Sequence, residues 1–135
     1  VLMTGIAAFA RSTAVCLAGT VLFGPWSPIQ AEPSRTPVPG ARPVMLAALR
    51  SADGTAHGVL TGDSADAITK RFEATSPIYI DVTTEQRYRA PGCSRLKVLF
   101  WQEGVRLPDA KAPRKQTIEF GINYCATGLP PKSLL

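Results

Sequence analysis

Cys93-Ser94-Arg95-Leu96-Lys97-Val98-Leu99-Phe100-Trp101 and Thr117-Ile118-Glu119-Phe120-Gly121-Ile122-Asn123-Tyr124-Cys125 decide how this chain is read. In the first segment Leu96, Val98 and Phe100 alternate with Lys97, Leu99 and Trp101. In the second, Ile118, Phe120, Ile122 and Tyr124 alternate with Thr117, Glu119, Gly121 and Asn123. A period of two marks strands with one buried face. If the strands run antiparallel with Cys93 opposite Cys125, paired positions sum to 218, so Leu96 faces Ile122, Val98 faces Phe120 and Phe100 faces Ile118. All three pairs are apolar, and a slip of one residue would set apolar positions against polar ones. The pattern predicts a hairpin closed by a Cys93–Cys125 disulfide, with two free, buried thiols as the alternative.

Working outward, Gly104 to Pro113 is the loop between these strands, with a turn at Leu107-Pro108-Asp109. Ile78, Ile80 and Val82 alternate with Tyr79, Asp81 and Thr83, which predicts a third strand. Ahead of it, Ala65, Ile68 and Phe72 form a stripe at helical spacing, so a helix is expected over Ser64–Ala74, capped by Asp63 or Ser64 and ended before Pro77. That stripe is the expected cover for the sheet's apolar face. Asp53-Gly54 marks a turn, and Val44 to Leu49 is a short apolar run that serves as a fourth strand or a helical turn. The expected fold is α+β, with one helix on a three- to four-stranded antiparallel sheet.

The N-terminal part reads differently. Arg11 is the only charge from Val1 to Phe23, and the apolar run Thr13–Phe23 ends at Gly24-Pro25. A small residue, Ala31, follows at a position suited to cleavage, and these features together predict a secretory signal over residues 1–31. The alternative is a membrane anchor, but the run is short against the ~20 apolar residues a spanning helix needs. Cys16 follows Val15 rather than the small residue of a lipoprotein site. Residues 32–43 hold Pro33, Pro37, Pro39 and Pro43, which predicts an extended, mobile linker, with the folded domain over 44–135. After removal of the signal, 14 Lys+Arg face 10 Asp+Glu, and Cys93 and Cys125 are the remaining cysteines. Export and an even cysteine count agree with a disulfide and a periplasmic or secreted location, without a stable membrane span.

Chemistry-bearing patterns are sparse. No CxxC is present and His57 is the only histidine, so neither a zinc site nor a thiol redox centre is expected, and no cofactor is implied. A serine hydrolase would have to use His57 with Asp53 or Asp63 and one of Ser51, Ser64 or Ser76, all in turn-rich sequence where a solvated histidine is the simpler reading. Asp81 and Glu85 lie beside Arg87 and Arg89 and read as solvated charges. Gly58-Val59-Leu60-Thr61-Gly62 lacks the Gly-Lys-Ser/Thr of a phosphate loop. The candidate site is Arg87, Tyr88, Arg89, Arg95, Lys97 and Trp101, four cations with two aromatics. These residue types anchor protein interfaces. They also stack on single-stranded nucleic acid, a partner that export disfavours. The simplest alternative is a solvated sheet face.

Gly58–Gly62, Pro77–Val82, Gly92-Cys93-Ser94-Arg95-Leu96, Gln102–Val105, Leu107-Pro108 and Phe120–Cys125 together resemble small exported proteins of Gram-negative conjugative-transfer gene clusters. The resemblance implies an accessory envelope component of a conjugation-type secretion apparatus, with matching cysteines at Cys93 and Cys125 and no catalytic residue to carry over. The expected function is therefore non-enzymatic binding of an envelope protein. An inhibitor or ligand-binding module is the alternative, and a small hydrolase built on His57 a remoter one.

Overall fold

The computed structural model describes Gly24, Pro25 and residues 27–135. The chain divides into two units, Val1–Ala31 and Glu32–Leu135, of which the second is compact and described throughout. The apolar run of the expected signal lies outside the described residues. No helix among the described residues is long and apolar enough to cross a membrane.

The second unit contains β1 (Thr36–Val38), α1 (Ala41–Arg50), β2 (Thr55–Leu60), α2 (Asp63–Arg71), β3 (Tyr79–Arg87), β4 (Cys93–Val105) and β5 (Arg114–Cys125). The strands form one sheet in chain order. β1 pairs with β2 in parallel, and every other pairing is antiparallel. The expected register is present: Cys93 lies opposite Cys125, Leu96 opposite Ile122, Val98 opposite Phe120 and Phe100 opposite Ile118. The Cys93 and Cys125 sulfurs are at disulfide bonding distance, and both residues are buried. Near the far end the ladder shifts between Gln102 and Val105. There Gly104 takes φ 65°, and a Cβ on it would collide with the Thr75 side chain.

Three expectations about the sheet and its cover are corrected. The sheet is mixed and five-stranded, and the described residues form two helices rather than one. The proline-rich stretch 32–43 is not a mobile linker, because each proline inside an element sits where a missing amide costs little. Pro37 lies in the three-residue edge strand β1. Pro43 falls in the first turn of α1, whose amides have no helical partner in any case. Val44–Leu49 belongs to this helix, so it supplies no strand.

The third correction concerns which helix covers the sheet. Val44, Met45 and Ala48 on α1 are buried and join Ile80, Val82, Leu96 and Val98 in the core. α2 buries only Ala65, and Ile68 is 42% exposed. Asp63 is its first residue rather than its cap, which is Gly62 without a side-chain bond. Asp63 and Asp66 instead favour the helix as anions near its positive N-terminal end. α2 hangs on the end of β4 through polar links: buried Gln102 donates to Thr69 Oγ1 at 2.8 Å and to the Ser76 carbonyl at 3.0 Å, and the Arg106 amide donates to the Phe72 carbonyl at 2.9 Å. The chain leaves the helix at Glu73, ahead of Pro77, with φ 48°.

α1 can approach β2 because Gly58 has no side chain. A Cβ there would lie 2.7 Å from Val44 Cγ2 and 3.1 Å from Val38 Cγ2. Gly58 is thus a packing glycine within a ladder, paired with Thr36 on one side and Ile80 on the other, not part of a phosphate cradle. Overpacking of this kind typically costs about 1–3 kcal/mol. Gly58→Ala should lower stability in chemical denaturation by about that amount, and Val44→Ala in the same chain should recover part of it. Strict additivity of the two substitutions would show that the contact is not strained.

Candidate functional site

Side chains alternate across the sheet, so the face opposite α1 is set by parity. Arg35 precedes β1, His57 comes from β2, Tyr79 and Asp81 from β3, Trp101 from β4 and Lys115 from β5. Register places His57 opposite Asp81 and Tyr79 opposite Trp101. The result is one connected polar and aromatic cluster running across the sheet.

Asp81 is its centre. Oδ1 accepts from Arg35 Nη1 at 2.8 Å and from His57 Nδ1 at 2.7 Å, and Oδ2 accepts from Trp101 Nε1 at 2.7 Å. An ionised carboxylate only accepts, so the His57 proton in this pair sits on Nδ1. Side-chain exposure is 12% for Arg35 and 22% for Asp81. Burial alone would raise the Asp81 pKa, but the bonds from Arg35, His57 and Trp101 together outweigh it and hold the carboxyl below its ordinary value of 3.8. Around this hub the Arg35 guanidinium lies 4.5 Å from the Tyr79 ring centroid and 5.2 Å from that of Trp101. Tyr79 and Trp101 are in contact at 4.4 Å, and Lys115 Nζ is 4.0 Å from the Trp101 ring. Each Trp101 contact restricts the indole and holds it in place.

The sequence-predicted site residues are only partly brought together. Trp101, Lys97 and Arg95 follow one another on this face of β4, with Trp101 about 20 Å from Arg95 along the strand. Arg95 Nη1 and the Tyr88 hydroxyl both donate to Asn123 Oδ1, at 3.2 and 2.7 Å, and Arg95 lies 3.8 Å from Glu85. Arg87 is not on the face. The register shift between Thr84 and Gln86 sets Arg87 opposite Ser94, on the helix side, where its guanidinium donates to the Ser51 carbonyl at 3.1 Å. Arg89 is exposed in the turn before β4, its amide bonded to the Leu135 carbonyl at 2.8 Å. Four cations therefore do not form one basic strip, since Arg87 points away and Arg95 shares Glu85.

Other expectations change with the structure. His57 is a half-buried strand residue oriented by Asp81, and Asp81 is a hub rather than a solvated charge. The Ser-His-Asp grouping is not assembled. Ser51 bonds Asp53. The Ser76 hydroxyl donates to the Pro77 carbonyl at 2.8 Å and accepts the Glu103 amide at 2.9 Å.

A second feature was missed in the sequence. On the helix side, between α2 and β5, lies a groove of about 310 Å³ whose lining includes Leu60, Ile68, Phe72, Phe100, Val105 and Ile118. It exists because α1 covers only the Ile80, Val82, Leu96 and Val98 part of the sheet, leaving Ile118 69% and Phe120 42% exposed. More apolar positions alternate along β5 than two short helices can cover, which was the available signal.

No known protein family matches the chain, and no curated protein or solved structure does so either.

The hub predicts an acid response. A carboxyl with a lowered pKa adds stability at neutral pH, fully present above the unfolded-state value near 4 and lost as pH falls through the folded-state value. Exposed Asp53, lowered to about 2 by the Ser51 hydroxyl and the Thr55 amide, acts in the same direction. Asp81→Asn should destabilise the protein at pH 7 by about 1–2 kcal/mol, a value discounted for partial solvent screening. The variant should also flatten the loss of stability below pH 4 measured by denaturant titration. An unchanged acid limb would show that Asp81 is not a linked group.

Proposed function

We propose that this is an exported, non-enzymatic protein that acts by binding another envelope protein through the sheet face that carries Trp101. The observation behind this reading is the indole itself, half-buried, bonded to Asp81 and flanked by Tyr79, Arg35 and Lys115 on a face to which neither helix contributes a hydrogen bond. Tryptophan, tyrosine and arginine held rigidly are the residue types that dominate binding energy at protein interfaces, because little side-chain freedom is lost on association. Lys97, beyond Leu99 on the same face of β4, has no ion pair among the described residues and adds a cation for the partner to meet. The buried pair Cys93–Cys125 supports an oxidising compartment, and the resemblance to conjugative-transfer proteins favours a secretion apparatus as the setting. A second reading, a ligand-binding module, draws on the apolar groove, whose volume is at the low end for small-molecule sites.

Affinity capture from a periplasmic extract separates the two. With the Trp101 face as the interface, Trp101→Ala or Lys97→Glu should reduce recovery of the bound protein at least tenfold, while Ile68→Ser in the groove leaves it unchanged. Recovery that is lost with Ile68→Ser and unaffected by Trp101→Ala would transfer the function to the groove. Melting curves of all three variants establish that each is folded.

A further inference from the structure

The two edges of the sheet are built differently. β1 has three residues, one of them Pro37, so it offers little backbone to a further strand. β5 has twelve residues and no proline, and it is paired only with β4, in one unbroken register from Gln116 to Cys125. Residues 117–121 are all exposed, including Ile118 and Phe120. A long edge that carries apolar side chains is a template for another strand.

The charges on β5 identify that strand. Lys115 and Glu119 share one face of the strand, two positions either side of Thr117. Glu119 has no ion pair among the described residues, and Lys115 lies 3.8 Å from Glu103 and 4.0 Å from the Trp101 ring, both of its own copy. A two-fold axis at Thr117 brings the β5 strands of two copies together antiparallel, so that each Lys115 faces the Glu119 of the other copy and the two Thr117 residues face each other. On the opposite face, Phe120 meets Arg114 of the other copy, whose guanidinium can lie on the ring, and the two Ile118 side chains become diagonal neighbours. Moving the axis to Glu119 would oppose two carboxylates directly, which is unfavourable. A two-fold contact requires a self-complementary surface, and this stretch of β5 is one.

We propose that β5 is a self-association edge, pairing with β5 of a second copy about Thr117 to join two five-stranded sheets into one. The edge shares Lys115 with the Trp101 cluster, whereas Glu119 makes no contact with that indole, so Glu119→Lys separates a failure of the self-association from a failure of the proposed function.

Sedimentation of the purified protein across the micromolar range, with charge reversals, tests the proposal. The wild type should form a dimer. Lys115→Glu or Glu119→Lys alone should weaken association about tenfold, because two attractive pairs become repulsive. The double reversal should restore it, and Thr117→Cys should give a disulfide-linked dimer on mild oxidation while Phe120→Cys does not. A wild type that stays monomeric throughout overturns the proposal. So does a dimer indifferent to the reversals, or an edge that takes up unlike peptides while the protein remains monomeric.

Discussion

Everything in this fold depends on the pairing of β4 with β5 and on the covalent link at its end. These are the two longest strands, and they are joined in an unbroken ladder from Cys93–Cys125 to Gln102–Gln116. β4 also carries Leu96 and Val98, the fully buried side chains on which β3 and α1 pack. A unit of this size has a small net stability, typically about 5–15 kcal/mol. Closing a ring between positions 32 residues apart contributes about 3–4 kcal/mol by restricting the unfolded chain, on the loop-entropy account. β5 is a peripheral strand with exposed apolar residues and one neighbour, so without the link its ladder to β4 would be all that holds it.

The same ladder creates the two faces and the free edge. Even-numbered side chains of β4 meet α1 over half the sheet and form the apolar groove over the other half. Odd-numbered ones carry Lys97 and Trp101 into the polar face, where a single carboxylate, Asp81, joins three strands and the segment before β1 through Arg35, His57 and Trp101. The charged centre is tolerated because Arg35 is beside it and every bond is charge-assisted. This rigidity underlies the proposed recognition by Trp101. β5, having no strand beyond it among the described residues, leaves its outer backbone available.

Much of the sheet could be read from the residues because its side-chain period is two and cysteine supplies an independent anchor: Cys93 and Cys125 set the sum of positions, and three apolar pairs agreed with it. The helices were harder. Ala65, Ile68 and Phe72 have helical spacing but too little apolar surface to cover a sheet, whereas Val44, Met45 and Ala48 do the covering from behind Pro43. Proline breaks the interior of a helix or sheet, but Pro37 in an edge strand and Pro43 in a first helical turn break nothing. Trp101 stands out as a candidate from its type and neighbours, and the structure places it in the cluster around Asp81. Arg35, Tyr79 and Lys115, and the orientation of His57 by Asp81, are not legible from the residues alone because they reach Asp81 or Trp101 across sequence gaps that no local pattern reports. Arg87 was misplaced because a bulge that flips one residue leaves no trace in hydrophobic alternation.

The most direct test of the account is the oxidation state of Cys93 and Cys125 in the purified protein. Alkylation followed by mass spectrometry should find both unreactive until a reductant is added, with the peptides containing them linked to each other. Reduction should then lower stability by about 3 kcal/mol. Both cysteines alkylated in the native protein without reductant, or either one linked to a different thiol, would contradict the account.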